Sequence, residues 1–160
     1  RHPHVFGDVS VSGTGEVLTN WDALKRKEKH QATHTDALDA VARSLPALWR
    51  AEKVQKKAKK AGFDWPDVSG ALDKLSEELS EFKAAVAGSG NVEEELGDLL
   101  FSAVNAARFV KVDPEAALQK ATEKFIARFR RVEELAAGRP MEDMDLAELD
   151  KLWEQAKHEA

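Results

Sequence analysis

The stretch VSGALDKLSEELSEFKAAVAGSGNVEEELGDLLFSAVNAARFV, residues 68–110, decides the fold class, because it predicts two consecutive amphipathic helices. In its first half, apolar residues recur at alternating steps of four and three: Val68, Leu72, Leu75, Leu79, Phe82 and Val86. Gly88-Ser89-Gly90 interrupts that helix, and Asn91 is a suitable N-cap for the next one. The second helix is apolar over most of its circumference, so we expect it to be central and buried by its own bundle and by a partner subunit.

The rest of the chain has the same helical character and shows no strand pattern of useful length. Further helices are predicted over approximate residues 20–30, 46–61, 113–137 and 146–157. Residues 31–44 are weakly patterned and predict a connection with some helix. The last helix is expected to turn these side chains inward: Leu146, Leu149, Leu152, Trp153 and Ala156. The predicted fold class is therefore all-α, a helical bundle.

Composition narrows the classes of function. The 160 residues are 42% hydrophobic and 33% charged and include no cysteine, which excludes disulfides and thiolate metal sites. No apolar run approaches membrane-spanning length, so no membrane partner is expected. The formal net charge of −5 argues against a broad surface for nucleic acid. These features fit a cytoplasmic protein.

Two acidic clusters lie in the two helices of residues 68–110. Acids three residues apart share a helix face, so adjacent helices can direct four carboxylates to one point. At roughly 100° per residue, Glu77 points away from the apolar stripe of its helix, whereas its neighbours border that stripe. On the second helix, the same angular argument favours Glu95 and Asp98 over the acids of the first turn. The predicted metal ligands are Glu78, Glu81, Glu95 and Asp98.

Four converging carboxylates suit a hard divalent ion, Mg²⁺ or Mn²⁺, and Mg²⁺ commonly binds together with phosphates. The alternative is that both clusters are solvated helix faces, which accounts for most acid runs on helices. Glu93 and Glu94 lie in a helix N-terminal turn, where capping alone would explain them. The repetition of the spacing on two adjacent helices weakens this alternative without removing it.

A basic stripe follows one side of the predicted helix over residues 113–137. It consists of Lys120, Lys124, Arg128 and Arg131. Together with a metal, such side chains are suited to holding a polyphosphate and stabilising its charge. The alternative is that they pair with nearby glutamates on a solvated helix, and the stripe alone favours that alternative.

The motifs EExxE (Glu77 to Glu81) and ExxD (Glu95 to Asp98) lie inside GFDWPDVSGALDKLSEELSEF and NVEEELGDLLFSAVNAARF. Both segments closely resemble MazG nucleoside triphosphate pyrophosphohydrolases, and DPEAALQKATEKFIARFRRVEE continues the resemblance. It covers about residues 36–160. The resemblance implies an all-α fold with a four-helix core completed by homodimerisation. It also implies Mg²⁺-dependent cleavage of nucleoside triphosphates to the monophosphate and pyrophosphate, with Mn²⁺ as a substitute ion.

The resemblance also implies roles for individual residues. The metal ligands of the family fall on the same four acids that helix geometry selects, and these acids with Lys124 are the catalytic candidates. The segments 74–78, 91–94 and 124–128 border the nucleotide in the family, and a C-terminal tryptophan lies near the base or sugar. The substrate-binding candidates are Lys74, Glu77, Asn91, Glu94, Asn105, Lys124, Arg128 and Trp153. Glu81 and Glu77 are the candidates for accepting the proton of the attacking water.

Residues 1–35 are predicted to be separate from the MazG-like domain of residues 36–160. RHPHVF at residues 1–6 resembles RFRRVE at residues 128–133. Because MazG proteins often carry two tandem domains, residues 1–35 are hypothesised to be the tail of a missing upstream copy, which would make the remainder a C-terminal domain.

Two alternative functions stay open from the sequence. One is a narrower specificity within the superfamily, such as a dUTPase-like or phosphoribosyl-ATP pyrophosphohydrolase-like enzyme. The other is a non-catalytic helical module that binds nucleotides or acts as a scaffold. Trp65 lies in the turn before the first acidic helix, and is expected either to pack or to line a nucleotide pocket.

Overall fold

The computed structural model describes Trp21, Leu24 and residues 33–159. All regular elements from residue 33 to residue 159 are helical, which confirms the all-α prediction. Between residues 33 and 159 the α-helices are α1 His34–Asp39, α2 Ala47–Lys60, α3 Val68–Val86, α4 Val92–Phe109, α5 Pro114–Leu135 and α6 Leu146–Glu159. A short 3₁₀ turn, Met141–Asp143, precedes α6 and has no counterpart in the sequence prediction.

The predicted helix over residues 20–30 lies almost entirely outside the described residues, although Trp21 and Leu24 are helical. The hypothesis that residues 1–35 belong to an upstream copy also concerns mostly residues outside the described part of the chain, so it stays a prediction. In the described part of the chain, no helix combines the length and the apolar character that crossing a membrane requires.

The chain divides into two compact units, one ending at Pro114 and the other beginning at Glu115. In the first unit, α3 and α4 form an antiparallel hairpin, which is its most extensive helix–helix contact. Helix α4 also packs against α2, and α2 packs against α1. Helix α4 is therefore the central element of this unit, as its apolar circumference predicts.

Local signals fix the ends of the hairpin helices. Asp67 caps α3 by accepting a hydrogen bond from the Ser69 backbone N–H at 2.9 Å. Asn91 caps α4 in the same way, accepting from the Glu94 N–H at 3.0 Å, as predicted. Gly88, with φ of +108°, lies in the connection, where a left-handed backbone angle favours glycine.

The buried seam of α3 differs from the predicted one. Its buried residues are Ala71, Glu78 and Ala85, which recur every seven residues along one face. The neighbouring large apolar residues at the same spacing are exposed: Leu72, Leu79 and Val86. The stripe of large apolar residues is therefore not the buried face of α3 in the single chain, because small side chains at the seam allow close helix packing.

The second unit is a pairing of α5 with α6. The rings of Phe125 and Trp153 lie 5.2 Å apart between centroids, and Val132 and Ala156 are buried. Leu146, predicted to face inward, is instead 77% exposed. It is the first residue of α6, and burial on this helix begins only at the next turn.

An ion pair holds the turn before α3 against α4. Both oxygens of Asp64 accept hydrogen bonds from the Arg108 guanidinium, at 3.1 and 2.5 Å. The remaining Arg108 donors reach the side-chain oxygen of Asn105, at 3.0 and 2.8 Å. Burial alone would raise the pKa of Asp64, but the hydrogen bonds and charge of Arg108 outweigh it and hold that pKa below 3.8. The pair is nearly buried, so each charge depends on the other.

We predict that Asp64→Asn lowers the free energy of unfolding at neutral pH by about 3–5 kcal/mol, because Arg108 then stays buried without a counter-charge. A carboxylate with a lowered folded pKa stabilises the protein above its unfolded pKa, near 3.8. The difference from wild type should therefore disappear as the pH falls from about that value through the folded pKa. Urea unfolding curves at several pH values measure both effects.

The control is Asp73→Asn, which neutralises an exposed acid on α3. It should leave the free energy of unfolding almost unchanged. Equal stability of Asp64→Asn and wild type at neutral pH would contradict a stabilising role for the ion pair.

Candidate metal centre

The hairpin brings three predicted ligands to one point. Glu78 on α3 and Glu95 and Asp98 on α4 each offer one carboxylate oxygen, and these oxygens all lie within 4.8 Å of one another. Glu78 is buried, Glu95 is half-buried and Asp98 is exposed, so the cluster opens from the helix seam to solvent. Glu78 lies on the buried face of α3, midway between Ala71 and Ala85, where the heptad spacing of small residues would otherwise place another small side chain.

Glu81, the fourth predicted ligand, lies outside this group of three. Its side chain is exposed one turn after Glu78 on the same helix. Its negative charge nevertheless contributes to the raised pKa of Glu95, so it lies close enough to act electrostatically on the cluster. The structure thus gives three converging carboxylates with a fourth at the margin.

The charges of the cluster oppose one another. Desolvation raises the pKa of Glu95 first, and the charges of Asp98, Glu81 and Glu78 raise it further. Lys74 is the nearby cation, with its Nζ at 2.9 Å from Glu78 and 3.3 Å from Glu77. The hydrogen bonds to these two glutamates raise the pKa of Lys74. One lysine therefore offsets part of the negative charge of the cluster.

The donor set fits a hard divalent cation. Carboxylate oxygens are the ligands that Mg²⁺ and Mn²⁺ prefer, and Mg²⁺ usually keeps several waters beside one or two protein carboxylates. A partly buried group of mutually repelling carboxylates, with the pKa of Glu95 raised, gains most from such an ion. Glu78, Glu95 and Asp98 are therefore suited to hold a divalent cation, and Glu81 is close enough to be an additional candidate ligand.

The other candidates of the first unit take different positions. Glu77 is exposed and pairs with Lys74. The side chain of Asn91 is engaged in capping α4, and Glu94, whose N–H it binds, is exposed. Asn105 binds Arg108 and lies two turns beyond Asp98 on α4. Of these, only Glu77 shares a partner with the acidic cluster.

The candidates of the second unit form their own group on α5 and α6. The Arg128 guanidinium lies 5.9 Å from the centre of the Trp153 ring, within cation–π range. Lys124 is exposed one turn before Arg128. Arg131, the last member of the basic stripe, instead binds Glu159 at 2.5 Å and Glu134 at 3.0 Å. For Arg131 the pairing alternative is the correct one.

Sequence reasoning missed Gln55 on α2. It is only 6% exposed, and its Nε2 donates a hydrogen bond to the Phe101 carbonyl oxygen at 2.9 Å. Its Oε1 is buried without a hydrogen-bond partner. The available signal was a polar residue among the apolar neighbours Val54 and Ala58 on the inward side of the predicted helix.

Residues 67–132 match the MazG nucleotide pyrophosphohydrolase domain. The match includes α3, α4 and most of α5. It therefore contains every candidate metal ligand together with Lys124 and Arg128, and it confirms the resemblance at the level of the domain.

Similar proteins extend the likeness along the chain. The nucleoside triphosphate pyrophosphohydrolase of Escherichia coli (strain K12) is 45% identical over 165 residues, covering 99% of this chain and 63% of the relative. The Thermotoga maritima protein named nucleoside triphosphate pyrophosphohydrolase/pyrophosphatase MazG is 43% identical over 159 residues, covering 98% and 60%. The Bacillus subtilis protein YabN is 48% identical, with 98% and 33% covered. The chain thus spans about three fifths of the first two relatives.

We predict that Glu95→Gln raises the melting temperature of the metal-free protein in EDTA, because it removes one of three repelling carboxylates. Mg²⁺ should stabilise wild type, by about 2.7 kcal/mol at 100 times its Kd. The same Mg²⁺ concentration should stabilise the variant far less. Differential scanning fluorimetry with and without Mg²⁺ measures both effects.

The matched control is Glu123→Gln, which neutralises an exposed acid on α5. It should respond to Mg²⁺ as wild type does. Equal stabilisation of Glu95→Gln and wild type by Mg²⁺ would show that the ion binds elsewhere.

Proposed function

We propose that this chain is a Mg²⁺-dependent nucleoside triphosphate pyrophosphohydrolase, which hydrolyses a nucleoside triphosphate to the monophosphate and pyrophosphate. One observation carries the proposal: the oxygens of Glu78, Glu95 and Asp98 converge within 4.8 Å on a hairpin that lies inside the match to the MazG nucleotide pyrophosphohydrolase domain. The names of the Escherichia coli and Thermotoga maritima relatives support the same activity.

In this proposal Glu78, Glu95 and Asp98 hold the ion, and Glu81 lies at the margin of the cluster. When bound, Mg²⁺ would lower the pKa of a coordinated water and neutralise negative charge on the phosphates. Lys74 stabilises the buried end of the cluster through its 2.9 Å contact with Glu78. Lys74 also contacts Glu77, at 3.3 Å, so the Glu77 carboxylate is already paired with a cation.

The proton of the attacking water requires a carboxylate that is near the cluster and not committed elsewhere. Glu81 meets both conditions better than Glu77, because it is exposed, one turn from Glu78, and acts on the pKa of Glu95. We assign it the role of proton acceptor. The water oxygen bonds to one of the two phosphorus atoms of the anhydride that joins the monophosphate to pyrophosphate. The P–O bond between that phosphorus and the bridging oxygen breaks, and the departing group leaves with the bonding electrons.

The basic group of α5 is proposed to bind the phosphates. The Nε of Arg128 is buried without a hydrogen-bond partner, while its guanidinium lies against Trp153. An arginine that stacks on an aromatic ring still has N–H groups that can donate to phosphate oxygens. Because its guanidinium is already positioned, it loses little conformational freedom on binding. Lys124 adds a second positive charge one turn away, and Trp153 is the candidate for contact with the sugar or base.

Homodimerisation belongs to the same proposal. Large apolar side chains remain exposed on both units of the single chain: Leu72, Leu79, Leu96, Leu100, Phe125 and Phe129. Many large apolar side chains left exposed on one chain are typical of a surface that a partner covers. A second copy would bury it, which fits the four-helix core expected from the resemblance.

We predict that Glu78→Gln and Asp98→Asn each reduce pyrophosphate release from nucleoside triphosphates with Mg²⁺ by more than about 100-fold, since even partners that only support a metal ligand contribute 10–100-fold. EDTA should abolish the wild-type activity. The assay covers the common ribonucleotides and deoxyribonucleotides, so a narrow specificity would appear as turnover of one substrate alone.

Asp73→Asn, on the same helix but outside the cluster, is the control and should keep wild-type turnover. Circular dichroism establishes that the variants stay helical. Wild-type activity in either ligand variant would refute the ligand assignment, and no pyrophosphate release by wild type would refute the activity.

We predict that Arg128→Ala raises the KM for the triphosphate at least tenfold, whereas Arg128→Lys recovers only part of the loss, because lysine lacks the flat guanidinium that stacks on Trp153. Steady-state kinetics with saturating Mg²⁺ measures this. Arg130→Ala removes an exposed arginine from the same helix and should leave KM unchanged. An equal effect of both alanine variants would point to general surface charge instead.

A further inference from the structure

The first unit contains a cavity of about 450 Å³ that the acidic cluster does not use. It lies beside α2, α4 and the turn before α3, and its walls include Phe63, Trp65 and Phe101. Its volume falls within the range of small-molecule sites, which combine apolar or aromatic walls with a few placed polar groups. Gln55 and Asn105 supply those polar groups here.

The aromatic wall is held in a fixed position. A Cβ atom at Gly70 would lie 2.8 Å from the Trp65 ring, so the ring rests directly on the α3 backbone. The Asp64–Arg108 ion pair fixes the same turn from the other side. Phe63, at the mouth, is 83% exposed. Trp65 keeps 44% of its surface exposed, so part of its ring remains available to a flat ligand.

Gln55 lines this cavity and carries an unused hydrogen-bond acceptor. Its amide orientation is fixed, because the Phe101 carbonyl can only accept and therefore must face the Nε2 group. The Oε1 atom is consequently the free one, buried and without a hydrogen-bond partner. A buried acceptor without a partner is unfavourable, so a ligand N–H that reaches it would bind favourably.

We propose that this cavity binds the flat nitrogen heterocycle of a nucleobase, which stacks on Trp65 and donates an N–H to Gln55 Oε1. The common bases all carry such a donor and a face for stacking. The hydrogen bond from Gln55 to the Phe101 carbonyl already holds the Gln55 side chain, so that side chain loses little conformational freedom on binding.

The placement of the cavity connects it with the proposed function, on which this inference rests. Phe101 and Asn105 follow Asp98 by three and seven residues, on the same face of α4. The cavity is therefore within roughly 10 Å of Asp98 along the helix axis. A nucleotide with its phosphates at the carboxylates can direct its base along α4 to this cavity.

Nucleosides, which lack phosphates, test the cavity alone. Isothermal titration calorimetry in EDTA with adenosine, guanosine, cytidine and uridine should detect binding of at least one to wild type. Gln55→Leu should weaken that binding about tenfold or more, the value of one hydrogen bond. Trp65→Phe and Gly70→Ala should weaken it as well, the latter by displacing the ring. Gln119→Leu, an exposed glutamine on α5, is the matched control and should bind as wild type.

Failure of the cavity and failure of the proposed function are separable. Glu78→Gln should lose turnover but keep nucleoside binding. Turnover that depends on Glu78 but is indifferent to Gln55 and Trp65, with no nucleoside bound at millimolar concentration, would overturn the cavity proposal and leave the function intact. Binding that depends on Gln55, without any turnover in wild type, would support the cavity and overturn the function.

Kinetics distinguish the source of the base. If the substrate places its own base there, nucleosides inhibit competitively and Gln55→Leu changes the ranking of kcat/KM among the triphosphates. If a separate nucleotide binds as an effector, inhibition or activation is not competitive and the ranking is preserved. Either pattern, combined with loss of nucleoside binding in Gln55→Leu, supports the proposal. Variants that bind nucleosides as tightly as wild type would refute it.

Discussion

The close approach of α3 and α4 determines most of what this chain can do. Small side chains at Ala71 and Ala85 form the buried face of α3, and Glu78 occupies the equivalent position midway between them. Seam packing therefore forces a carboxylate into partial burial opposite Glu95 and Asp98. The resulting repulsion is a consequence of the helix pairing itself, and a cation is the natural way to relieve it.

Helix content and helix ends were predictable because they depend on local signals. The caps at Asp67 and Asn91 and the proline at the start of α5 act within one turn of chain. The buried face of α3 was not predictable in the same way. Hydrophobic periodicity identified the stripe of large residues, but which stripe meets α4 depends on how closely the two helices approach.

The acidic site shows the same division. Residue type and spacing identified Glu78, Glu95 and Asp98, because helical periodicity alone places such acids on one face. The role of Gln55 escaped detection because its hydrogen-bond partner, Phe101, lies 46 residues further along the chain. The Gly70–Trp65 contact escaped because it depends on how the turn before α3 folds back on that helix. The basic stripe was ambiguous for an electrostatic reason. Arg131 pairs with Glu134 three residues further along the same helix, and also with Glu159 of α6, which the face of α5 alone does not predict.

The bare Cα at position 70 has an implication for redesign. Because the indole of Trp65 occupies the space that a methyl group would take, residues 65 and 70 behave as one steric unit. Engineering the shape of that recess would therefore call for paired exchanges, with a slimmer ring accompanying any bulk added to the helix. A single substitution at either position would displace both the Trp65 ring and the surface of α3 on which it rests.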